Sequence, residues 1–119
     1  MSIDDAWVRM IQPAQFVTAG YMVITNTGAA EDRLMSVSSP AFKSVEMHEM
    51  AIDENSVMRM RKSGPLLIGS GESLTMKRGG IHLMLIGPRY TIATGNDIPL
   101  TLMFEQSGEL TIAARVREE

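Results

Sequence analysis

Both histidines of the chain lie beside methionine. His48 sits in Glu46-Met47-His48-Glu49-Met50, and His82 in Ile81-His82-Leu83-Met84. Between them, Val57-Met58-Arg59-Met60 adds two more thioethers. The chain has 11 methionines and no cysteine. Imidazole and thioether together, without thiolate, suit a soft, sulfur-preferring metal. Zinc favours Cys, His and carboxylate, and calcium and magnesium want oxygen. Methionine with imidazole selects Cu(I). A thioether carries no proton to lose, so its affinity does not fall through its own titration. It forms no disulfide, although oxidation to the sulfoxide would weaken it as a ligand. Blue-copper electron transfer needs a cysteine thiolate, so a carrier is the better reading than an electron shuttle.

Against this stands a plainer reading. Any single Met on a strand is ordinarily packing, because the thioether fills irregular gaps. A lone histidine is ordinarily a polar residue with a hydrogen bond. The combination separates this chain from that background. Both histidines have methionines at or near period-two spacing, and one is expected to meet a methionine across a hairpin.

The elements that must hold these residues are short strands. With 119 residues, 45% hydrophobic and 21% charged, the chain suits one globular domain, 1–119. Its net charge of −3, with both signs scattered, argues against nucleic acid and against a basic membrane patch. No apolar run is long enough to span a bilayer as a helix. Strands are expected at 6–11, ended by Gln12-Pro13, and at 19–24, closed by Asn26-Thr27-Gly28. Others follow at 33–37, 43–52, 56–61, 66–68, 73–76 and 81–86, the last ended by Gly87-Pro88. A final pair at 98–104 and 110–116 is joined through Gln106-Ser107-Gly108. Trp7 is expected in the core or at its rim. Short strands punctuated by turn signals, with no sustained helical period, predict an all-β Greek-key sandwich or barrel.

Asp53-Glu54-Asn55 is expected to form a three-residue hairpin loop, with Asn55 taking the left-handed position. That register places Ile52 opposite Ser56, Met50 opposite Met58 and His48 opposite Met60. It also pairs Glu49 with Arg59 on the other face. A two-residue loop would instead put Arg61 opposite His48. His82 and Met84, two apart, share one face, and Leu83 and Leu85 take the core face.

At these residues the chain resembles the PCuAC family of periplasmic Cu(I) chaperones. The family motif is a His, an optional Met, ten residues, a Met, twenty-one residues, then His-x-Met. Here it runs His48, Glu49 in the optional slot, Met60, His82, Leu83, Met84. Ala6-Trp7-Val8-Arg9, Asn26-Thr27-Gly28, Asp32-Arg33-Leu34, Gly79 to Leu85 and Leu100-Thr101-Leu102 also look like family segments. Glu49 departs from the motif, and the sequence stops at Glu118-Glu119 without the Met- and His-rich tail of some relatives. The resemblance implies a cupredoxin-like barrel and Cu(I) held by His48, Met60, His82 and Met84. It also implies delivery to the copper centre of cytochrome c oxidase, directly or through another copper chaperone. The implied setting is the periplasm, with a leader removed upstream of Met1.

The site is expected to be exposed, so that an acceptor ligand can enter as one donor leaves. Met47 is expected at a soft apolar rim, with Met50 and Met58 in the core. Two other readings stand beside the carrier. One is a metal-free β-sandwich interaction module with a Met-rich surface. The other is a copper enzyme, for which the sequence offers no thiol nucleophile and no Ser-His-Asp set.

Overall fold

The structure is a computed structural model that describes residues 1–12 and 14–118. Pro13, expected to end the first strand, and Glu119 lie outside the described residues. The strands are β1 (Ser2–Arg9), β2 (Val17–Thr25), β3 (Asp32–Ser38), β4 (Phe42–Ile52) and β5 (Met58–Lys62). They continue with β6 (Leu66–Ile68), β7 (Ser73–Thr75), β8 (His82–Pro88), β9 (Asp97–Phe104) and β10 (Gly108–Arg117). All belong to one sheet, ordered β5-β4-β8-β2-β1-β10-β9-β3-β6, with β7 paired to β2. Among the described residues, only the β1–β10 pair is parallel.

Alternating residues feed the core from each side of the sheet's inner face. Met22 and Ile24 of β2, Leu83 and Leu85 of β8, Leu100 and Leu102 of β9 and Val116 of β10 are all buried. Their partners at odd positions, or at even ones on β8, stand on the outer face. Leu83 and Leu85 therefore take the core side, as expected, and His82 and Met84 the other.

Two irregularities set up that outer face. Between Asp4 and Trp7 the β1–β2 register slips, three steps on β1 against two on β2, and Asp5 adopts φ 52°. This bulge reverses which β1 residues face outward. It sends Val8 into the core and Trp7 outward, where its ring lies 4.9 Å from that of Tyr21. Trp7 is thus a rim aromatic.

The second irregularity is at Gly87. The strand does not end there but continues to Pro88, which pairs with Phe42. Gly87 has φ +69°, and a Cβ would come within 2.8 Å of Lys43 Cβ. Gly87→Ala is expected to destabilise the fold by about 1–2 kcal/mol, from the left-handed backbone and the close contact together. A shift of the urea midpoint at unchanged slope would check it. An unshifted midpoint would mean the strand end relaxes freely.

Candidate metal centre

The outer face of β8, β4 and β5 carries the candidate ligands. His48 and His82 are directly opposed across the β4–β8 pair, with ring centroids 6.1 Å apart. Each is buried, at 9% exposure, although both lie outside the core. Met84 is half-buried and stands two residues along β8 on the same side. Met60, on β5, is 46% exposed and is the accessible member of the set.

His82 is fixed from behind. Its Nδ1 lies 3.0 Å from the carbonyl oxygen of Gly80. A carbonyl only accepts, so Nδ1 carries the proton and, in the neutral ring, Nε2 is a bare lone pair. The turn at Lys77–Gly80 delivers that carbonyl. Gly79 takes φ +76°, and the N–H of Gly80 donates to Lys77 O at 3.1 Å. The Nε2 lone pair points at the sulfur of Met60, 3.2 Å away. In that neutral tautomer an imidazole nitrogen and a thioether sulfur face each other, a donor pair that fits a soft cation.

His48 is held differently. Its Nε2 is 2.9 Å from Glu46 Oε1, and its Nδ1 is buried with no hydrogen-bond partner among the described residues. The hydrogen bond with His48 holds the Glu46 carboxyl below its ordinary range, against the upward push of burial, and the Lys62 charge 3.7 Å away adds to it. A carboxylate on a ligand imidazole fixes ring orientation and raises basicity. Sequence reasoning passed over Glu46. Its signal was its position two residues before His48, on the same face of the strand.

The hairpin register differs from expectation. Met50 pairs with Met60, Ile52 with Met58, His48 with Lys62 and Glu49 with Arg61. The loop does hold three residues, but they are Glu54-Asn55-Ser56, and Ser56 rather than Asn55 is left-handed, at φ 62°. Asp53 decides this. Its Oδ1 accepts the N–H groups of both Asn55 and Val57 at 2.9 Å, and its Oδ2 pairs with Arg59 at 2.6 Å. Aspartate is favoured in just this first position of a type I turn. The slip is two residues, so no side chain changes face. Met60 therefore remains on the side of His48, diagonal to it, and meets His82 instead.

The rim methionines also exchange roles. Met47, expected at the rim, is a core residue at 6% exposure, because it lies on the inner face opposite Leu83. Met58, expected in the core, is 57% exposed on the outer face, and Met50 is half-buried beside it.

Met60, His82 and Met84 open onto a cleft of about 340 Å³, which Arg9, Ala19, Tyr21 and Arg78 also line. Tyr21 holds its ring 6.4 Å from that of His82. No three His, Asp or Glu side chains gather as a hard-metal site among the described residues. No helix of the described residues is long and apolar enough to cross a membrane.

The family described as "Putative lipoprotein LpqE-like" matches residues 1–116. The chain is 28% identical over 119 residues to "Putative lipoprotein Lxx21020" of Leifsonia xyli, which covers 99% of this chain and 70% of that protein. Among solved structures, the copper-bound PCuAC domain from PmoF2 superposes with a TM-score of 0.82 at 27% identity, covering 98% of this chain and 92% of that one. The solution structure of CuI-DR1885 from Deinococcus radiodurans gives 0.76 at 26% identity, covering 100% and 78%. These likenesses assign the all-β sheet to the cupredoxin-like PCuAC fold.

Proposed function

The chain belongs to the LpqE-like family and has the PCuAC fold, and from that premise we propose that it is a Cu(I) carrier with His48, Met60, His82 and Met84 as its ligands. The observation that carries the reading is His82 Nε2 facing Met60 Sδ at 3.2 Å, with Nδ1 3.0 Å from the Gly80 carbonyl oxygen. The two copper-bound relatives support the metal. The donor set supports the oxidation state, because two thioethers and two imidazoles favour Cu(I) over harder ions.

The arrangement suits carriage better than catalysis. Two imidazoles are seated and buried, while one thioether is exposed on an edge strand. A cargo ion held this way can be given up by exchanging the exposed donor first. We further propose export to the periplasm, and the cytochrome c oxidase copper centre as the destination. The family resemblance and the lipoprotein description of the family support these two readings.

An anaerobic competition titration against a chromogenic Cu(I) chelator tests the ligand set. Met60→Leu and Met84→Leu are each expected to weaken binding on the order of tenfold or more, with folding unchanged. Unchanged affinity would remove that methionine from the set. No Cu(I) binding by the parent protein would favour the metal-free interaction module. For the destination, loaded protein mixed with a copper-free oxidase subunit should lose its copper to that subunit. Retention of the metal would end the oxidase reading.

A further inference from the structure

Each imidazole of the candidate centre has one nitrogen taken up by the protein. On His82 that atom is Nδ1, which lies 3.0 Å from the Gly80 carbonyl oxygen. On His48 it is Nε2, which lies 2.9 Å from Glu46 Oε1. An ionised carboxylate only accepts. In the neutral ring of His48 the proton is therefore on Nε2 and the lone pair on Nδ1. That Nδ1 is buried and has no hydrogen-bond partner among the described residues. An acceptor left bare inside a protein costs stability, and a buried atom of this kind calls for a reason.

Resting on the Cu(I) reading above, we propose that Glu46 is a positioning residue of the centre. It holds the Nε2 proton of His48, so that His48 takes the ion through Nδ1 while His82 takes it through Nε2. The cargo is then the missing partner of the bare nitrogen.

Metal-bound histidines ordinarily show this division, with one nitrogen on the ion and the other N–H on a carboxylate or a carbonyl. Here both outer partners are in place: a carboxylate for His48 and a carbonyl for His82. The spacing agrees. Metal–imidazole bonds of about 2 Å put an ion about 3 Å from a ring centroid, so two rings sharing one ion stand about 6 Å apart at most. The directly opposed rings of His48 and His82 stand 6.1 Å apart.

Ligation of His48 through Nε2 would undo two contacts. Glu46 would have to give up its 2.9 Å hydrogen bond and keep only Lys62, 3.7 Å away. Nδ1 would then carry the ring proton, buried with no acceptor beside it. Lys62 completes the arrangement. It stands opposite His48 on β5 and pairs with Oε2 of Glu46, while His48 engages Oε1. Both carboxylate oxygens are thus occupied. A hard donor beside a soft centre is kept off the ion, which favours Cu(I) over zinc.

Long-range proton–nitrogen NMR on the full, isotopically labelled chain, at a pH where the rings are neutral, tests this. In the metal-free protein His48 is expected in the Nε2–H form and His82 in the Nδ1–H form. Anaerobic addition of Cu(I) is expected to shift Nδ1 of His48 more than its Nε2, and Nε2 of His82 more than its Nδ1. A metal-free His48 in the Nδ1–H form, or the larger shift at its Nε2, would overturn the proposal. Two rings that ignore Cu(I) would instead count against the carrier reading, and the metal-free form of His48 would still decide the role of Glu46.

Two variants separate positioning from packing. Glu46→Gln keeps an acceptor for the Nε2 proton, and Glu46→Leu does not. Glu46→Leu is expected to lose the single ring form of His48 and to weaken Cu(I) binding by about 10–100-fold in the competition titration. Glu46→Gln is expected to keep the Nε2–H form and to lose clearly less. Equal losses in the two variants, or an undisturbed Nε2–H form in Glu46→Leu, would overturn the proposal. Should Glu46→Leu fail to fold, the spectra of the parent and of Glu46→Gln decide.

Discussion

His82→Ala is expected to lower Cu(I) affinity by more than about 100-fold, the largest loss of any single substitution in the site. Removing only an outer partner of a metal ligand costs about 10–100-fold, and this change removes a proposed ligand together with its preset orientation. The Gly80 carbonyl holds the ring before metal arrives, at 3.0 Å from Nδ1. None of that ordering has to be supplied on binding. The fold should survive, because His82 lies on the outer face while its neighbours Leu83 and Leu85 hold the core. The same anaerobic competition titration reads the affinity, and urea unfolding of the metal-free variant reads the fold. Parent-like affinity would show that the 3.2 Å approach to Met60 is a packing contact and nothing more.

Far from that cleft, Asp32→Ala is expected to cost about 3 kcal/mol of stability at neutral pH, in line with the loss of hydrogen bonds to a buried charged group. Asp32 is 3% exposed at the start of β3. Burial alone would raise its carboxyl. Four donors reverse that: the Ser107 hydroxyl at 2.5 Å, and the N–H groups of Gln106 and Arg33 at 2.8 Å and of Ser107 at 3.0 Å. The result is a pKa lowered from 3.8 to about 2. A folded-state value below the unfolded one stabilises the protein above the unfolded value and loses that contribution as pH falls. The parent should therefore lose stability between about pH 4 and pH 2, a loss the alanine variant lacks. Urea midpoints of both proteins at pH 7 and near pH 2 measure this. A gap between them that stays constant with pH would mean that the carboxylate charge is immaterial.

The two structures of information, linear and folded, agree where period-two alternation decides. Leu83 and Leu85 against His82 and Met84 is such a case, since one buried face leaves the strand a single option. The strand list and the left-out helices follow for the same reason. Alternation fails where a loop sets the register. Asp53-Glu54-Asn55-Ser56 offers several residues able to start or end a turn, and the choice rests on where the Asp53 carboxylate finds its N–H donors. It fails again at Met47 and Met58, because methionine is equally at home in a core and on a surface. The family motif joins His48 and His82 in one expected site, but the partnership of Met60 with His82 depends on how three strands lie side by side. The Asp5 bulge, which turns Trp7 outward, has no cue in Asp4-Asp5 beyond aspartate's tolerance of left-handed backbone.

The course of β1 has a bearing on reach. Met1 lies near Thr27 at one end of the sheet, and Arg9 opens on the cleft at the other. Eight strand residues separate the two ends, a span of about 25 Å. A tether joined ahead of Met1 would grip the molecule by its distal pole. The mouth of the cleft would then face outward from whatever surface held the leash, free to swing toward a neighbour.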